Sequence, residues 1–107
     1  MAFLAGCGSQ NQVYNIADVT KPEAITLKKV KSQGDIHYLT VVGTGHLEGT
    51  GEITLILNGK PYKTESLSGD VQFTWAGEWY SDSAKLEFKP TAAKSGELSM
   101  QYKFKDM

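Results

Sequence analysis

Apolar and polar residues alternate with a period of two through most of this chain. Near the C-terminus Leu98, Met100, Tyr102 and Phe104 alternate with Ser99, Gln101, Lys103 and Lys105, the pattern of a strand with one buried face. Val71, Phe73 and Trp75 alternate with Gln72 and Thr74, and Leu86 and Phe88 alternate with Lys85, Glu87 and Lys89. Ile53, Leu55 and Leu57 interleave with Thr54 and Ile56. The run from Ile36 to Val42 is apolar on both faces and predicts a central strand. Ile25 and Leu27 open the folded part, and no segment holds a helical period.

Turn chemistry separates these runs. Asn58-Gly59 is a strong two-residue hairpin signal, because both residues tolerate positive φ. Pro61 then marks the returning strand as an edge, since it cannot donate to a ladder. Ser32 to Asp35, Ser68-Gly69-Asp70, Ala76-Gly77-Glu78 and Lys94 to Glu97 supply the other breaks. The spacing predicts an all-β domain over residues 24–107. Its expected form is an antiparallel β-sandwich of about seven short strands with an immunoglobulin-like outline, a small β-barrel being the alternative.

Composition narrows the function more than the fold. The 107 residues carry 11 basic against 12 acidic side chains, which removes the electrostatic case for nucleic acid. Charge is uneven, with two lysines against seven acids between residues 32 and 82 and an excess of lysine on either side. A single Cys excludes an intrachain disulfide and any zinc site built on several thiolates.

That Cys is at position 7, in Leu4-Ala5-Gly6-Cys7-Gly8. The four residues ending at Cys7 resemble the lipobox of bacterial lipoproteins. The resemblance implies a diacylglycerol on the Cys7 sulfur, cleavage after Gly6 and acylation of the new amino group. It also implies a basic and apolar segment encoded upstream of Met1, since Met1 to Gly6 contain neither a basic residue nor a long apolar run. On this reading residues 1–6 are a signal-peptide remnant and residues 7–23 are the lipid-anchor Cys and a flexible, polar tether. The expected location is the cell envelope, anchored in the membrane. Gly8, in place of the Asp typical of inner-membrane retention, favours the outer membrane facing the periplasm where the host has two. Lysines 21, 28, 29 and 31 lie close to this anchor and suit anionic headgroups.

Within the domain, Gly43-Thr44-Gly45-His46-Leu47-Glu48-Gly49 has the spacing of a loosened dinucleotide fingerprint. A strand-like run follows it instead of the helix such a site requires, so no cofactor is expected. His37 and His46 are the only histidines, and neither has helical ligand spacing, even with Glu48 or Asp35 as a partner. No metal site and no catalytic residue is assigned.

The aromatic cluster Trp75-Ala76-Gly77-Glu78-Trp79-Tyr80 is the richest candidate surface. Neighbouring strand residues face opposite ways, so one of Trp79 and Tyr80 is expected in solvent. Trp79, Tyr80 and Tyr62 are therefore the candidate contacts for a protein partner or a glycan. The leading expectation is a non-catalytic binding or assembly module that uses a strand edge or the Trp79-Tyr80 end. A carbohydrate-binding module comes second, and a small hydrolase or metal-binding protein third.

Overall fold

A computed structural model of the chain describes residues 11–106. These residues form six strands and no helix: β1 (Gln12–Asn15), β2 (Glu23–Lys28), β3 (Ile36–Leu57), β4 (Lys60–Glu78), β5 (Ser83–Pro90) and β6 (Ser95–Asp106). All pairings are antiparallel, in the order β1-β6-β3-β5-β2, with β4 paired to the remaining side of β3. The all-β antiparallel sandwich is present, as one sheet curled over on itself like a half-barrel. Its strands are fewer and longer than the seven short ones expected.

Length explains the curl. A straight 22-residue strand such as β3 would span about 70 Å, yet the longest extent of the molecule is 40 Å and its shortest is 18 Å. So β3 must fold over. Its first half, Tyr38 to Leu47, lies between β6 and the second half of β4. Its second half, Gly51 to Ile56, lies between β5 and the first half of β4. The register with β4 shifts between Leu47 and Thr50, where β3 passes from one layer to the other.

Glycines make this bend possible. A Cβ on Gly45 would stand 2.0 Å from the Glu97 carbonyl, and one on Gly96 would stand 2.2 Å from the His46 carbonyl. The backbones of β3 and β6 thus touch at a point that excludes side chains, with both glycines at positive φ. Ser68-Gly69-Asp70 and Ala76-Gly77-Glu78, which read as breaks, lie inside continuous β4. Asn58 and Gly59 do form the turn, at φ 53° and 77°.

The period-two residues fill one contiguous core. Leu39, Val41, Ile53 and Leu55 of β3 meet Val71, Phe73 and Trp75 of β4, Leu86 and Phe88 of β5, and Leu98, Met100 and Phe104 of β6. Gly43 stands opposite Phe73, whose ring occupies the space a side chain there would need.

The segment read as tether contributes to this fold. Gln12–Asn15 pair with Ser99 to Tyr102 as β1, Ile16 and Val19 are buried, and β2 already begins at Glu23. Tyr14 Oη donates to the Glu23 carboxylate, and Asp18 Oδ1 accepts from the Thr20 N–H and hydroxyl. The domain boundary therefore lies at or before residue 12, not at 24. Tyr14 and Ile16 carry the inward alternation, but Gln12 on the inner side and the exposed Val13 mask it in so short a strand.

Candidate functional site

The expected contact residues separate in the structure. Trp79 is 6% exposed, and its indole N–H donates to the Ser83 carbonyl at 2.9 Å. It is a core residue closing the end of the sandwich, which corrects its assignment as a surface contact. Tyr80 takes the solvent side at 73% exposure, so one ring of the pair is outside, as alternation requires. Partial desolvation of the hydroxyl and then the Glu78 carboxylate push the Tyr80 pKa upward. Tyr62 is also exposed, with the Lys63 ammonium 5.3 Å from its ring centre. Cys7 lies outside the described residues.

The two histidines are far apart, nine residues and so about 30 Å along β3. His46 sits at the bend, with Nδ1 2.9 Å from Asp70 and Nε2 2.6 Å from Glu48. Hydrogen bonds to Glu48 and then to Asp70 raise its pKa above the ordinary histidine value. His37 lies at the irregular start of β3, with a buried Nδ1 that has no hydrogen-bond partner. Among the described residues, no group of three or more His, Cys, Asp or Glu is arranged to hold a metal ion. The glycine-rich segment is part of β3, and its glycines serve backbone and ring contacts rather than a phosphate.

What the structure brings together instead is an edge. Among the described residues, β4 pairs with β3 on one side and with no strand on the other, in both halves of the sandwich. The Trp79 N–H donates to the His37 carbonyl at 3.1 Å, so residues 37 and 79 form a hydrogen-bonded pair. In an antiparallel ladder such pairs recur at every second residue. Gly77, Trp75, Phe73 and Val71 therefore turn their backbone groups to β3. Gln72, Thr74, Ala76 and Glu78 turn theirs away from it, along the open edge.

The two halves of this edge differ. Lys60 to Ser66 is protected by Pro61 and by the charges of Lys60, Lys63 and Glu65, devices that blunt strand pairing. From Asp70 to Glu78 the register with β3 is unbroken, and Val71 to Gly77 contain neither a charge nor a proline. The inward side chains there, Val71, Phe73 and Trp75, are buried, while Gln72, Thr74 and Ala76 are exposed. Beside this segment a cleft of about 60 Å³ enters between the layers, lined by Leu39, Leu55, Trp75 and Trp79 and rimmed by Tyr62, Lys63 and Glu78. The alternation of Val71, Phe73 and Trp75 was readable from sequence; which side of the strand stays unpaired was not.

No family model and no curated protein matches the chain. Among solved structures, dimeric latent PorU from Porphyromonas gingivalis is similar at TM-score 0.53 and 8% identity. That match covers 94% of this chain but 13% of that one. The C-terminal domain of EclA, a sugar-binding protein, is similar at TM-score 0.43 and 15% identity, covering 92% of this chain and 79% of that one. A chain of the Bacillus endospore appendages, a family of disulfide-linked pili, is similar at TM-score 0.44 and 10% identity over the full length of both. Such likenesses concern the fold alone.

Proposed function

We propose that this chain is a lipid-tethered protein of the bacterial cell envelope whose β-sandwich binds a protein partner, without catalysis, at the free edge of β4. The single observation that carries the binding reading is the unpaired, uncharged stretch from Val71 to Gly77. Strand addition uses such an edge, because backbone groups facing outward supply affinity that does not depend on partner side chains. Burial of Trp79 supports a protein over a glycan, since it takes the largest ring out of any sugar-stacking surface. The tether reading rests on Leu4-Ala5-Gly6-Cys7 and places the sandwich close to the membrane surface.

Two experiments test the two parts. Cys7→Ser is expected to abolish incorporation of labelled palmitate and to move the protein out of the membrane fraction. An unlabelled wild-type chain would contradict the tether. A photoreactive amino acid at Thr74, but not one at Glu87 on the other half, is expected to crosslink one envelope protein. Equal crosslinking at both positions would contradict an edge-specific site.

A further inference from the structure

From the charges that frame the free edge, we infer that its occupant is an extended segment of another protein with a basic residue at each end and an aliphatic residue facing inward. This rests on the edge reading above and assigns the chemistry of its partner. Asp70 and Glu78 bracket the segment eight residues apart, with no charge between them. A strand laid along Val71 to Gly77, in either direction, brings its two ends beside these carboxylates. Opposite charges across neighbouring strands are favourable and like charges are not. The Asp70 carboxylate is fully exposed; His46 pairs with it and with Glu48, and with Glu97 also at this end of β3 and β6, three carboxylates stand against one imidazole. Lysine or arginine at the ends of the segment meets this field, and acidic residues there are rejected.

The same charges oppose a second copy of this chain. Antiparallel self-pairing that uses the whole segment centres on Thr74 and sets Asp70 opposite the other copy's Glu78 at both ends. Along the added strand, side chains beside Trp75 and Gly77 point inward, toward the cleft between the layers. That cleft has room for about four waters or one small aliphatic side chain. Its inner lining of Leu39, Leu55, Trp75 and Trp79 suits valine or isoleucine, while Lys63 and Glu78 hold its polar rim.

The test uses the whole chain and two synthetic peptides of nine residues. Both alternate threonine and valine; one ends in lysine at each terminus and the other in glutamate. The lysine peptide is expected to slow amide exchange at Gln72, Thr74 and Ala76. It should bind about tenfold more tightly than the glutamate peptide in low salt, with the difference shrinking in high salt. Thr74→Pro, which removes an outward N–H that β3 does not use, should abolish the protection, and Thr74→Lys should weaken lysine-peptide binding. Equal binding of the two peptides would overturn the charge rule while leaving the edge reading standing. Concentration-dependent dimerisation lost in Thr74→Lys, with no peptide bound, would overturn it in favour of a second copy. No protection by either peptide and no dimer would overturn both this inference and the edge reading.

Discussion

The carbonyl of His37 accepts the backbone N–H of Trp79, and this one bond sets which residues of β4 face β3. Because the ladder alternates, it also determines which N–H groups remain on the outer side. The structural consequence continues for nine residues, from Glu78 back to Asp70, without a register shift. An unpaired edge of this length, lacking charge and proline over its central seven residues, departs from the usual protection of exposed strands.

Trp79 and Tyr80 should separate sharply in stability measurements. Trp79→Ala removes a buried indole and its bond to the Ser83 carbonyl, and is expected to cost about 3–5 kcal/mol. Tyr80→Ala removes an exposed ring and should stay within about 0.5 kcal/mol of wild type. Urea unfolding of both variants checks the pair. Similar losses for the two would contradict their placement on opposite sides of the sandwich wall.

Gly43 should tolerate no side chain while Phe73 is present. An added Cβ would stand 2.1 Å from the Phe73 ring, so Gly43→Ala is expected to lose about 1–3 kcal/mol through overpacking. Combining it with Phe73→Leu should restore part of that loss, giving a non-additive double-mutant cycle. Additive losses would show that the ring and the glycine do not share this space. Gly45→Ala should have no such rescue, because its obstruction is the backbone carbonyl of Glu97.

The period-two pattern exposes the core of this fold so clearly because each strand buries one face, from Ile25 and Leu27 to Phe104. The bend is less legible. Glycines usually end strands, so Gly43 to Gly51 gives no local sign that β3 runs through it. Here Gly45 and Gly96 let two strands touch, and Gly43 receives the ring of its partner on the neighbouring strand, Phe73. Strand β1 is hidden for a different reason, since four residues with Gln12 inward and Val13 outward give alternation too little length to show. Trp79 is equally local in its ambiguity: adjacency to Tyr80 dictates that one ring is buried, and only the bond to the Ser83 carbonyl decides which. The open side of β4 depends on pairing between distant residues, which no local pattern carries.

His46 gives the bend a pH dependence of defined sign. Its folded pKa is raised by Glu48 first and Asp70 second, above an unfolded value near 6.5. The contribution to stability is therefore fully present below about pH 6.5 and is lost as pH rises through the folded pKa. Wild type minus His46→Gln should show a larger urea midpoint difference at pH 5.5 than at pH 8.5. A difference that grows with pH would contradict the assignment. Because all three side chains are largely exposed, added salt should reduce the effect.

Gln33 should matter more than its loop position suggests. It is 6% exposed, its side-chain oxygen accepts from the Val30 N–H, and its amide donates to the Phe104 carbonyl. Gln33→Leu leaves both backbone groups without these partners and is expected to cost about 1–3 kcal/mol. Thermal unfolding checks it. An unchanged midpoint would mean that water replaces both bonds without loss.

The central claim is that Asp70 to Glu78 offers an unoccupied ladder edge, and residue-resolved amide exchange of the whole chain tests it most directly. The N–H groups of Phe73, Trp75 and Gly77, bonded to β3, should exchange roughly 100-fold more slowly than those of Gln72, Thr74 and Ala76. Uniformly slow exchange across residues 71–78 would mean that the outer side of β4 is already paired, and would contradict the account.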